Sequence, residues 1–246
     1  PAEVYVDDFN LQELRRRHRY DGLEEDICIG EELLIQGPAG ALEVLTSGPA
    51  RFDPRLPIAI ICHPHPLHGG SLNNKVVHVM AESFNAMGLM SVSFNFRGVG
   101  RSQGRFANGE GEVQDLLAVV DWFRGRYPEA GLWLAGFSFG AYVAARAHVM
   151  AGAQRLLLVA PPVGLFDFTQ LDEIAIPWMV IQGGRDEVIE PQAVAAWVHG
   201  RRLRPDYRWM ADADHFFHGR MNRLRETITG AWQDEVERLR TVSRDA

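Results

Sequence analysis

Short apolar runs with no polar interruption recur along the chain, among them Ile58-Ala59-Ile60-Ile61, Leu132-Trp133-Leu134-Ala135, Leu156 to Val159 and Trp178 to Ile181. A strand with one wet face alternates apolar and polar residues, so a run that is apolar at every position belongs to a strand covered on both sides. Between these runs lie segments whose apolar residues recur at helical spacing. Val113, Leu116, Leu117 and Val120 mark one over residues 110–127, and Leu224, Ile228, Trp232, Val236 and Leu239 mark another near the C-terminus. Further helices are expected over residues 73–87 and 139–150 and from Pro191, a residue suited to the first helical position, to His199. Strands are expected from Met90 to Asn95 and from Tyr207 to Met210. The alternation selects an α/β fold with a doubly wound, mostly parallel sheet.

Two regions stand apart from that rhythm. Leu33-Leu34-Ile35, the turn Gly37-Pro38-Ala39-Gly40 and Leu42-Glu43-Val44-Leu45 read as an antiparallel hairpin leading into the sheet. Residues 1–31 are charge-dense without a sustained apolar period and read as an N-terminal extension outside the core, with packing on the domain surface and contact with a partner as alternatives. Residues 32–246 then make a single α/β domain, in keeping with ~100–200 residues per domain. Only about 17 residues separate the strand ending near Ala160 from that beginning near Trp178, too few for a cap domain beside typical connections. A site at that sheet edge is expected to be open, with Val163, Leu165, Phe166 and Phe168 as an apolar rim.

The totals narrow the partners. A net charge of −7 argues against nucleic acid, and the one basic cluster, Arg15-Arg16-Arg17-His18-Arg19, is followed closely by Glu24-Glu25-Asp26. No apolar stretch approaches the ~18 residues of a membrane span. Cys28 and Cys62 make neither a disulfide framework nor a zinc site, which favours a reducing, cytoplasmic setting.

Gly136-Phe137-Ser138-Phe139-Gly140 follows the apolar run ending at Ala135 and places a serine where a strand turns sharply into a helix. A serine hydroxyl is a weak nucleophile at neutral pH and needs a base, and the base needs a carboxylate to fix its tautomer. Two later loops supply both. Gln182-Gly183-Gly184-Arg185-Asp186-Glu187 follows one strand, and Asp212-Ala213-Asp214-His215-Phe216-Phe217-His218 follows the last. Asp186 and the adjacent Glu187 are alternative acids; His215, nearer the strand end, is preferred to His218 as base. The order Ser138, Asp186, His215 suits such an elbow.

Stabilising a developing oxyanion takes two backbone N–H groups. Phe139 offers one. The second is expected in Cys62-His63-Pro64-His65-Pro66-Leu67-His68-Gly69-Gly70, where the prolines have no N–H and leave His65 or Leu67 as donors, with His65 closer to the strand. The histidines here raise a metal reading, but His63 and His65 point in different directions and no H-E-x-x-H pattern accompanies them, so neither a metal nor another cofactor is expected. Arg97-Gly98-Val99-Gly100-Arg101-Ser102 is glycine-rich but lacks the spacing and the lysine of a phosphate loop, and reads as a structural turn.

Taken together, His63-Pro64-His65-Pro66 with His68-Gly69-Gly70, Asn73-Asn74-Lys75, Asn95 to Ser102, the elbow, Asp186 and Asp214-His215-Phe216-Phe217 resemble the α/β-hydrolase superfamily, in a cap-less bacterial branch near the dienelactone hydrolases. The resemblance spans roughly residues 32–240. It implies a serine hydrolase with Ser138, Asp186 and His215 as triad, and it favours Asp186 over Glu187. True dienelactone hydrolases carry cysteine where this chain has Ser138, so their substrate is not implied. The expected reaction is hydrolysis of a small or accessible carboxylic ester. Peptidase or thioesterase activity through the same triad is the alternative enzyme, and a non-catalytic binding protein is the alternative outside enzymes.

Overall fold

The computed structural model describes residues 30–49, 52–171 and 173–245; most of the N-terminal extension and Cys28 lie outside them. Eight strands, β1 (Glu32–Gly37), β2 (Gly40–Ser47), β3 (Ile58–Cys62), β4 (Met90–Phe94), β5 (Leu132–Phe137), β6 (Arg155–Val159), β7 (Trp178–Gly183) and β8 (Asp206–Met210), form one sheet in the order β1-β2-β4-β3-β5-β6-β7-β8. β1 pairs antiparallel with β2, as does β2 with β4, and every other pairing is parallel. Among the described residues five α-helices accompany them, four between strands and the last after β8: α1 (Lys75–Ala86), α2 (Glu110–Arg126), α3 (Phe139–Ala147), α4 (Pro191–His199) and α5 (Met221–Asp245).

The continuous apolar runs arise because successive side chains of a strand enter different cores. Ile58, Ile60 and Cys62 of β3, with Leu156 and Leu158 of β6, pack with α2, α3 and α4 on one face. Ala59 and Ile61, with Leu157 and Val159, pack with α1 and α5 on the other. Both faces being covered, every residue of β3, β4, β5 and β7 is buried, Ser91 and Ser93 of β4 included, and exposed polar residues return at the edges. Three of the five residues of the edge strand β8 are exposed. In α5 the apolar stripe is buried through Leu224, Ile228, Trp232 and Val236, while Leu239 is exposed and Arg240 reaches back to the Met87 carbonyl (3.0 Å). Among the described residues, no helix is long and apolar enough to cross a membrane.

The parallel register brings strand ends together. Cys62 at the end of β3 lies opposite Gly136 in β5, and Phe137 lies opposite Val159 at the end of β6. The loops after these strands therefore emerge side by side, where open α/β sheets gather their ligand-binding groups. The 161–177 connection crosses this edge with no helix or strand among its described residues, and a bridge between Val163 and Phe166 folds it back. Its rim differs from expectation at one residue. Phe168 is buried against Tyr142 and Trp197, because apolar surface on α3 and α4 draws it inward, while Leu165 stays 63% exposed.

Candidate active site

The chain passes from β5 to α3 through Ser138 at φ 52°, ψ −121°, a conformation that non-glycine residues adopt at a cost of ~1–3 kcal/mol. Packing imposes it. A Cβ on Gly136 would lie 2.2 Å from the Gly140 carbonyl oxygen, and one on Gly140 would lie 2.2 Å from the Cys62 carbonyl oxygen. Only glycines let the first turn of α3 rest directly on β5 and on the end of β3. The Ser138 N–H is anchored on the Val159 carbonyl (2.9 Å), leaving Oγ aimed out of the elbow.

Ser138 Oγ lies 3.2 Å from His215 Nε2, and His215 Nδ1 lies 2.8 Å from Asp186 Oδ2. All three residues are buried. The carboxylate only accepts, so Nδ1 carries the ring proton and Nε2 presents its lone pair to the serine hydroxyl. Asp186 is held from three further directions, by Gln182 Nε2 (2.9 Å) on Oδ2 and by the N–H groups of Val188 (2.9 Å) and Ile189 (2.7 Å) on Oδ1. Burial pushes this carboxyl up, and the hydrogen bonds from His215, Ile189 and Val188 outweigh burial and hold it below the ordinary aspartate range. The Arg185 N–H bonds to the Ala213 carbonyl (2.9 Å), tying the acid loop to the histidine loop.

The two rivals occupy other places. Glu187 accepts the backbone N–H of His215 (3.2 Å), bracing the histidine's main chain rather than its ring. His218 is exposed and pairs with Asp214 (2.8 Å). The rings of Phe137 and Phe216 flank that of His215 at centroid distances of 5.1 and 5.0 Å.

Across from the serine stands the loop after β3, which carries a single 3₁₀ turn, Pro66–His68. The Leu67 N–H donates to His65 Nδ1 (3.2 Å), so the loop itself engages the rival donor. Neither the His65 nor the Phe139 N–H meets an acceptor among the described residues. Their side chains are in contact, ring centroids 5.1 Å apart. Around them lies an apolar, largely aromatic surface. His65 also packs on Phe106 (4.9 Å) and Phe166 (6.2 Å), and the nearby chain positions Leu67 (68%), two residues after His65, and Leu165 (63%), next to Phe166, are exposed. Burial, together with the neighbouring His68, lowers the His65 imidazole's affinity for a proton.

His63 does not face this surface. It is fully buried, with its ring between the β3 and β4 ends, and no repeat or spacing in the sequence marks it off from its neighbours. Among the described residues, no three His, Cys, Asp or Glu side chains gather where they would hold a metal ion. The glycine-rich loop after β4 is closed on itself as well. Arg97 Nη2 reaches Asp115 (2.8 Å) and the Gly111 carbonyl (2.7 Å), and Ser102 Oγ donates to the Asn95 carbonyl (2.6 Å).

A sheet wound in this order, with a serine on a strained strand-to-helix turn, defines the α/β-hydrolases. The comparisons agree. A family model described as serine aminopeptidase, S33, matches residues 65–169. An uncharacterized protein of Rickettsia prowazekii is 36% identical over 197 residues, covering 76% of this chain and 82% of that one. Among solved structures, an α/β serine hydrolase homologue from Coxiella burnetii is 45% identical with a TM-score of 0.81, covering 84% of this chain and 99% of its own. A lidless serine hydrolase from Xanthomonas campestris is 41% identical with a TM-score of 0.80, covering 84% and 94%. The chain belongs to the α/β-hydrolase superfamily and is a hydrolase of the cap-less kind.

Proposed function

We propose that the chain hydrolyses small or accessible carboxylic esters through an acyl-enzyme formed on Ser138. The observation that carries this reading is the continuous hydrogen-bonded line from Ser138 Oγ through His215 to Asp186, buried at the end of the sheet. As Oγ attacks the ester carbonyl carbon, its proton passes to His215 Nε2, and Asp186 steadies the resulting imidazolium. The carbonyl oxygen becomes an oxyanion that accepts from the Phe139 and His65 N–H groups, neither of which has to break another bond to reach it. Collapse expels the alcohol, which takes the proton from His215 and leaves Ser138 acylated. Water then attacks the acyl group by the same route and releases the acid.

The surface around His65, Phe106 and Phe166 offers contact to apolar acyl or alcohol groups. The connection after β6 is too short to roof them over, which favours substrates bound at one end and open to solvent at the other. Replacing Ser138 by Ala should abolish hydrolysis of p-nitrophenyl acetate, and a fluorophosphonate should label Ser138 in the folded protein. Turnover retained in Ser138→Ala would reject the assignment. The description of the matching family model favours a second reading, aminopeptidase action by the same residues. Comparing kcat/KM for ester, thioester and aminoacyl-amide forms of one acyl group separates the two.

A further inference from the structure

We infer that His63 is a positioning residue for the oxyanion-binding N–H of His65, acting through the Pro64 carbonyl, which belongs to the same peptide as that N–H. The inference rests on the reading above, in which the His65 N–H is an oxyanion donor.

His63 Nδ1 lies 2.6 Å from the Pro64 carbonyl oxygen, and the Phe96 N–H donates to His63 Nε2 at 3.1 Å. Each partner has one role: the carbonyl only accepts and the amide only donates. The ring is therefore neutral, protonated on Nδ1 and bare on Nε2. Burial acts in the same sense, lowering the imidazole to about 4.

The carbonyl that His63 grips has a particular place in the chain. The Pro64 carbonyl and the His65 N–H are two ends of one planar peptide, so holding the oxygen fixes the direction of the N–H. A bond to the carbonyl also polarises the amide and strengthens it as a donor. The rest of the loop leaves that peptide little freedom. The His65 carbonyl is held by the His68 (3.1 Å) and Gly70 (3.0 Å) N–H groups, and Leu67 is tied to the His65 ring. On the far side of the Pro64 oxygen, a Cβ on Gly70 would come within 2.1 Å of it. The Pro64 carbonyl thus lies against both Gly70 and the His63 ring, and the His65 N–H meets no acceptor among the described residues.

The ring also links two motifs. Phe96 belongs to the Asn95-Phe96-Arg97-Gly98 turn after β4, so His63 transfers the rigidity of that turn to the loop after β3. A core histidine with a packing role alone would need neither nitrogen so placed.

The experiment compares His63→Asn, His63→Gln and His63→Phe in the full chain. Asn puts an amide donor at the reach of Nδ1, Gln puts its amide at the reach of Nε2, and Phe keeps the ring without either nitrogen. Losing an oxyanion donor outright costs ~100–1,000-fold in kcat, so misdirecting one should cost ~10–100-fold in the Gln and Phe variants, with KM for p-nitrophenyl acetate shifted less than about threefold. Affinity for a trifluoromethyl ketone, which forms a tetrahedral adduct, should fall in parallel. His63→Asn should recover most of kcat. Full activity in His63→Gln or His63→Phe, or an Asn variant no better than Phe, overturns the inference.

Should the variants fail to fold, nitrogen NMR of the unaltered protein decides. His63 should be protonated on Nδ1 and bare on Nε2 from pH 5 to 8, and the opposite tautomer or a titration in that range overturns the inference. Absence of any Ser138-dependent turnover overturns the hydrolytic reading and this one with it. Ser138-dependent turnover that is indifferent to His63 overturns this one alone.

Discussion

Two glycine-bearing turns leave the same edge of the sheet, after β4 and after β5, and they treat their polar groups in opposite ways. In the turn after β4, Arg97 is bound to Asp115, whose side chain is fully buried, and Asn95 bridges the Leu72 N–H (2.8 Å) and Glu43 (2.8 Å). Glu43 also accepts from the Arg101 N–H (2.8 Å). These groups are satisfied internally. In the turn after β5, Ser138 sits at positive φ, its hydroxyl faces a histidine, and the Phe139 N–H has no acceptor among the described residues. A closed network stabilises a loop and leaves nothing for a ligand; strain with unmet donors is kept where chemistry needs it. His63 joins the two, taking a bond from the first turn and giving one to the loop beside the second.

The sharpest way to break this contrast is to remove the Ser138 hydroxyl, the proposed nucleophile. Ser138→Ala should lower kcat for p-nitrophenyl acetate by ~10⁶-fold while leaving the melting temperature equal to or above that of the unaltered protein, since the backbone strain stays and only a hydroxyl is lost. Asp186→Asn should follow, with a fall of ~10⁴-fold in kcat from the wrong imidazole tautomer, read with the same ester. If Glu187→Gln gave that loss instead, the roles of the adjacent acids would be reversed.

The turn after β4 should respond in stability. Asp115→Ala leaves the Arg97 guanidinium, 11% exposed, without its carboxylate, a change expected to cost about 3–5 kcal/mol in urea unfolding while kcat of the folded fraction falls less than about tenfold. Equal losses of kcat in the two turns would erase the distinction between them.

His63 should show in the pH dependence of stability. Its folded pKa of about 4 lies below the ordinary histidine value of 6.5, so the unfolded chain binds the proton more readily. Its contribution is therefore complete above pH 6.5 and is lost as pH falls through 4, up to ~3 kcal/mol. His63→Asn should flatten that part of the profile, and an unchanged slope would assign the acid lability elsewhere. Asp186, held below its ordinary range, adds a loss of the same sign at lower pH. The smallest effect belongs to Glu187→Gln, where a peripheral bond to the His215 N–H should leave stability within ~0.5 kcal/mol and kcat within about twofold.

Much of this was legible in the chain. Ile58 to Ile61 read as a strand covered on both faces because parallel strands between helix layers admit no polar position, and the structure places its alternate residues in two separate cores. Pro191 to His199 matched its helix at both ends because a proline start is a local signal. Boundaries were less legible where tertiary bonds decide them. The helix expected over residues 73–87 begins at Lys75, because the Asn74 side chain accepts the Val76 N–H (2.9 Å) and caps it there. Phe168 was expected on the rim and lies inside, since an aromatic residue in a loop gives no sign of which neighbouring helix will claim it.

Sequence alone therefore determined the element order, the sheet with its leading hairpin and the serine at the elbow, because these follow from periodicity and from glycine's steric permissiveness over a few consecutive residues. Tertiary structure decided which of the adjacent Asp186 and Glu187 meets the His215 ring, which of His65 and Leu67 keeps a free N–H, and that His63 spans from β3 to β4. Each of these depends on hydrogen-bond directions between groups that lie far apart in the chain or on a loop folded back on itself. Such directions are set only once the sheet has brought the strand ends together.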